Sequence, residues 1–157
     1  MSIVAAFARG TAAAAARRLA RAQAGEARRG GEVVGNYATL NPLSPSTTNV
    51  GPYANGNLEF TRSGNYATAV ASIGMTSGKW YCEVTKTSTG TNTVIGVHDE
   101  TAIEDYLDRS AAGYGWRSDG LKVNGNQGHG NIGGYAEGDV MGLAFDADAK
   151  ALYFYKN

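Results

Sequence analysis

A chain of 157 residues, 43% of them hydrophobic, has material for one core and leaves no room for a second large domain. Fourteen Lys and Arg offset fourteen Asp and Glu, but residues 1–31 hold six arginines against Glu26 alone, a net +5, which leaves −5 for the rest. The mildly acidic remainder lacks the basic face that nucleic-acid binding requires, so any such role is confined to the start of the chain.

The opening segment, residues 1–31, is rich in Ala and Arg. Alanine has the best intrinsic helix propensity, so the segment is expected to be an α-helical arm from about Thr11 to Ala24, with Gly10 and Gly25 as breaks and a short turn over Ile3 to Ala8. Arg17, Arg18 and Arg21 fall toward the carboxyl end of that helix, where its dipole favours cations. Arg9 and Arg17 interrupt any run of about 20 apolar residues, which excludes a transmembrane span here. Three readings compete: an arm that docks in an assembly, a solvated helix, and a targeting or membrane-surface segment. The docking reading makes Ile3, Phe7, Arg9, Arg17, Arg18, Leu19 and Arg21 its contact residues.

Residues 32–54 contain all three prolines, Pro42, Pro45 and Pro52, and are expected to be a linker or an irregular edge. From residue 55 to residue 157 the punctuation is glycine, and short runs rich in Val, Thr and aromatic residues read as strands: NLEFTR, ATAVASI, KWYCEVTK, NTVIGV, AGYGWR, LKVNG, DVMGLAFD and ALYFYKN. FDADAKALYF is a strand, an Asp-rich tight turn and a second strand. Alternation places Trp80, Cys82 and Val84 on one face and Tyr81, Glu83 and Thr85 on the other. Cys82 is the only cysteine, which excludes an intrachain disulfide and a multi-cysteine zinc site and marks it as a small core residue. Gly96 and Gly142 suit close sheet packing or a strand bend.

Taken together, SGKWYCEV, VIGV, GYGWR and above all GDVMGLAFDADAKALYFYKN resemble the SPRY domain, over about Asn55 to Asn157. The resemblance implies an all-β fold, a bent antiparallel β-sandwich of the SPRY/concanavalin-like type, here preceded by the helical arm. A complete SPRY sandwich continues past the FYKN strand, so the resemblance also implies a sequence cut short, a covering neighbour or a shortened variant. The lead-in NYATLNPLSPS is similar to modules of bacteriophage tail and fibre proteins.

Two stretches invite chemical readings. His98, Asp99, Glu100, Glu104, Asp105 and Asp108 form an acidic run that suits a solvated loop, a calcium site or paired catalytic carboxylates, although it lacks the EF-hand register and glycine. Asn124 to Gly134 is the glycine-dense stretch around His129, without the Lys-Ser/Thr ending of a phosphate loop. It is expected to be a flexible surface loop. Loops on rigid sandwiches carry recognition, which makes Tyr106, Tyr114, Trp116, His129, Asn131 and Tyr135 the binding candidates, with Trp116 large enough to be wanted in the core. No catalytic residue, metal or cofactor is expected.

The resulting functional expectation is a non-enzymatic phage virion protein, a tail fibre, baseplate or decoration component. Its partners would be other virion proteins in multiple copies and a host-surface glycan or protein. The alternatives are an intracellular SPRY adaptor that binds a peptide and a carbohydrate-active enzyme built on the acidic run.

Overall fold

The computed structural model describes residues 3–8, 14–21, 38–43, 50–62, 67–99, 107–125 and 127–157. Among these residues twelve strands run in chain order: β1 (Ile3–Ala8), β2 (Ala14–Arg21), β3 (Val50–Ala54), β4 (Glu59–Arg62), β5 (Thr68–Met75), β6 (Lys79–Lys86), β7 (Val94–Asp99), β8 (Gly113–Arg117), β9 (Leu121–Asn124), β10 (Gln127–Asn131), β11 (Val140–Asp146) and β12 (Ala151–Lys156). They form two six-stranded antiparallel sheets, ordered β10-β9-β8-β7-β1-β5 and β12-β11-β6-β2-β4-β3.

The core lies between the sheets. Period-two alternation sends Trp80, Cys82 and Val84 of β6, with Met141, Leu143 and Phe145 of β11, to one wall, and Ile95, Val97 and Trp116 to the other. Burying such a side chain fully contributes about 1.5–3 kcal/mol, so this face fixes the register of β6 and β11. A smaller apolar cluster of Val70, Val94, Leu107 and Val123 covers the outer face of the first sheet. The all-β, antiparallel architecture expected for the body is therefore present.

The helix expected over 11–24 is not: residues 14–21 are strand β2, paired with β6 on one side and β4 on the other. Helix preference among ordinary residues is worth only tenths of a kcal/mol each. A segment seated between two strands pairs backbone N–H and C=O groups on both sides. The register places Arg17 opposite Glu83. Ile3 and Phe7 likewise belong to β1, between β5 and β7, and Arg18, Leu19 and Arg21 belong to β2. Arg9 lies outside the described residues, as do the ends of the expected helix.

The expected linker is partly structural. Ala38 and Leu40 join the core, Leu40 bridges Ala71, and the amide of Asn41 donates to the Val70 carbonyl at 2.7 Å. Pro52 sits in edge strand β3 where the β3–β4 register slips, a place that tolerates its missing N–H. Asn55, Gly56 and Asn57 turn this hairpin with φ of 51°, 66° and 63°, a region that asparagine and glycine enter more readily than other residues.

A second correction concerns the glycine-dense stretch. Residues 127–131 form β10, an edge strand paired only with β9 and exposed at every position. Its order comes from backbone pairing, since it has no apolar face to bury.

Candidate functional site

The two ends of the sandwich differ. At one end the segments after β6, β8 and β10 are bound to one another. The Tyr135 hydroxyl, buried, lies 2.7 Å from the Thr93 carbonyl and 3.1 Å from that of Trp116, and its ring meets Trp116 edge-on at 4.8 Å. Burial pushes the Tyr135 phenol well above its ordinary range. Trp116 is 2% exposed and its Nε1 donates to the Gly133 carbonyl at 2.8 Å. Asn131 is a turn organiser, its Oδ1 accepting from the Gly133 amide at 2.8 Å and its Nδ2 donating to the Asp119 carbonyl at 3.2 Å. Trp116, Tyr135 and Asn131 thus hold the scaffold rather than present themselves to a ligand, and Tyr106 lies outside the described residues.

At the other end the sheets part. Pairing of Val97 with Tyr114, Ile95 with Trp116, and Trp116 with Lys122 puts Tyr114 and Lys122 on the inward face of the first sheet. Yet Tyr114 is 54% exposed, whereas Val97 beside it is 4% exposed. An inward aromatic left in solvent marks a place where the opposite layer does not close over it.

The opening is a cleft of about 450 Å³. One wall carries Val97, Tyr114, Lys122, Asn124 and His129 from β7 to β10; the other carries Phe145, Leu152 and Phe154 from β11 and β12, with Lys150 from their turn. Its volume falls in the range of small-molecule sites, about 300–1,000 Å³, and its make-up of apolar walls with a few polar groups is the usual one. The walls are rigid: the β11–β12 hairpin is fastened by Asp146, whose Oδ1 accepts from the amides of Asp148 and Ala149 at 3.2 and 2.9 Å, and whose Oδ2 meets Lys79 Nζ at 2.5 Å. That pairing holds the Asp146 carboxyl below its usual range. Lys150 completes the turn with φ +53°.

Two lysines stand against one carboxylate, that of Asp99, among the described residues that line the cleft. Among the described residues neither Lys122 nor Lys150 has an ion-pair or hydrogen-bond partner, whereas Lys79, Lys156 and Arg117 are each paired with an aspartate. Asp99 borders the cleft and is itself engaged. His98, 2% exposed, gives its Nδ1 to the Asp99 carbonyl at 2.6 Å, which leaves Nε2 as a buried acceptor with no partner among the described residues. Burial lowers its pKa, against the opposing pull of the Asp99 carbonyl and carboxylate.

Of the candidates read from sequence, the structure brings Tyr114 and His129 together at this cleft. Sequence reasoning missed Lys122, Asn124, Lys150, Leu152 and Phe154. One signal was present: LKVN alternates apolar and polar, and Leu121 and Val123 belong with the outer cluster, which turns Lys122 and Asn124 inward. Of the acidic run, Glu100, Glu104 and Asp105 lie outside the described residues, and no group of three or more His, Cys, Asp and Glu that suits a metal occurs among the described ones. Cys82 is buried, and its thiol is pushed up to about 12 by loss of solvent, which suits packing and not nucleophilic attack. Comparison with protein-family models, curated proteins and solved structures finds no match, and the cleft's geometry is what remains to speak for function.

Proposed function

We infer that this chain is a non-enzymatic recognition module that takes its ligand at the open end of the sandwich. The observation that carries the reading is Tyr114, an inward-facing aromatic held half-exposed over an apolar cleft by two hydrogen-bonded sheets. Rigid walls lower the ordering cost of binding, and half-exposed aromatics are frequent anchors of recognition. Among the described residues the cleft offers lysines, an asparagine, histidines and one carboxylate, that of Asp99, which suits holding a ligand better than acid–base pairing of two carboxylates.

The SPRY-like strands and the NYATLNPLSPS lead-in support a finer version: a displayed part of a bacteriophage particle that contacts a host surface. Anchorage there would not use a free helical arm, because β1 and β2 are paired within the sheets.

The test is direct. Labelled full-length protein is offered to bacterial cells and to immobilised surface polysaccharides and proteins, with Tyr114→Ser and Leu152→Ser as cleft variants. Saturable binding that both substitutions weaken, with unchanged thermal midpoints, supports the module. Binding indifferent to both, or turnover of any offered substrate, overturns it.

A further inference from the structure

We propose that the cleft binds a small amphipathic carboxylate, an aromatic or short alkyl body bearing one anionic group. The inference rests on the recognition reading and names the chemistry of its ligand. Three features define the occupant.

The first is the pair of apolar walls. Tyr114 and Val97 of the first sheet and Phe145, Leu152 and Phe154 of the second line the gap, and the Trp116 ring of the first sheet meets Phe154 from the opposite layer at 5.8 Å. A flat or slender apolar body entering there removes area from both walls at once, and burial contributes about 25 cal/mol per Å².

The second is the charge at the rim. Lys122 stands on β9 of one sheet and Lys150 on the β11–β12 turn of the other, so a lysine borders the cleft on each wall. Neither is neutralised by a described residue. A ligand carboxylate would supply the counter-charge through charge-assisted hydrogen bonds, roughly twice as strong as neutral ones.

The third is scarcity of other polar groups. Besides the lysines, the polar side chains lining the cleft among the described residues are His98, Asp99, Tyr114, Asn124 and His129. Asn124 Nδ2 already donates to the Ala111 and Gly113 carbonyls, His98 Nδ1 to the Asp99 carbonyl, and Asp99 is engaged, which leaves few partners for the hydroxyls around a glycan ring. A nucleotide phosphate is commonly held by convergent backbone amides or by an arginine fork, and no arginine lines the cleft among the described residues. One anionic group on an apolar body matches the donors present.

The experiment uses the full-length chain with naphthoate and phenylbutyrate as probes, set against the alcohols of the same carbon skeleton. Affinity is measured by calorimetry and location by chemical-shift changes at Tyr114 and Leu152. The expected result is carboxylate binding at the cleft, with the matched alcohols roughly tenfold weaker. Lys122→Met and Lys150→Met should each remove roughly that factor for the acids and leave the alcohols unchanged, and Arg117→Met, whose guanidinium is paired with Asp119 away from the cleft, should change neither. Equal affinity for acid and alcohol, shifts confined to the opposite end, or no binding up to the solubility limit overturns the inference. The recognition reading is scored separately: a chain that ignores both acids yet still binds a cell surface through Tyr114 sinks only the ligand class. Failure on both counts sinks the module itself.

Discussion

Gly96→Ala is the sharpest probe of how the first sheet is assembled. A Cβ at residue 96 would lie 2.0 Å from the Tyr114 carbonyl oxygen and 2.7 Å from the Gly115 Cα, all of it backbone of the paired strand β8. Reaching even a 3.0 Å contact requires β7 and β8 to open by about 1 Å, which disturbs the Ile95–Trp116 and Val97–Tyr114 pairs on either side. Overpacking in a close-packed interior costs about 1–3 kcal/mol, and a backbone neighbour that cannot rotate away places this change at the upper end. For a chain of this size about 3 kcal/mol lowers the thermal midpoint by about 6–12 °C. Gly128→Ala is the matched control, because its Cβ would meet only the two terminal carbons of Leu121, both at 3.6 Å. Both substitutions reduce unfolded-state entropy alike, so their difference isolates the close approach. Calorimetric melts of the two variants that agree within about 1 °C would refute the reasoning, since the same 2–4 °C per kcal/mol then leaves no clash to detect.

Three further outcomes follow from the described contacts. Tyr135→Phe keeps the edge-on packing against Trp116 but removes a buried donor from two carbonyls, and should cost about 1–2 kcal/mol in urea titration with an unchanged slope. Burial lowers the folded pKa of His98 below the ordinary 6.5, so its contribution is complete above that value and is lost as pH falls toward and through the folded one. The melting temperature should therefore decline as pH falls below about 6.5, and His98→Gln should flatten that decline, whereas an identical pH profile would rule the histidine out as its cause. Cys82, with its thiol pushed up to about 12, should resist alkylation at mildly alkaline pH in the native chain and react on unfolding, as mass spectrometry with and without denaturant would reveal.

How much of this was legible in sequence depended on whether a residue's fate was set by its own strand. β6 and β11 carry a strict alternation, and Trp80, Cys82, Val84 and Leu143 lie where that alternation puts them. The β11–β12 turn was readable from its aspartates, and Asp146 does accept the turn amides. β1 and β2 were not readable. Their alanines and arginines carry helix propensity, and what makes residues 14–21 a strand is the room between β6 and β4, which only tertiary structure creates. β10 has no pattern at all, only glycine, histidine and amide residues held by a neighbour's backbone. The cleft was hidden for a related reason: whether Tyr114 is covered depends on where the opposite sheet ends, and no local pattern encodes that.

The placement of β1 and β2 sets the pace at which this molecule can reach its native state. The hairpins β8–β9, β9–β10 and β11–β12 close between near neighbours and need little search. By contrast Phe7 must find Ile95, and Ala16 must find Val84, before β5 is joined to β7 or β4 to β6. Each sheet therefore remains in two pieces until a distant strand is threaded between them. Such non-local pairing belongs to chains that fold in milliseconds to seconds and not in microseconds. During that interval the facing rims of β5, β7, β4 and β6 stand open to strands from other molecules, and refolding yield should fall as protein concentration rises.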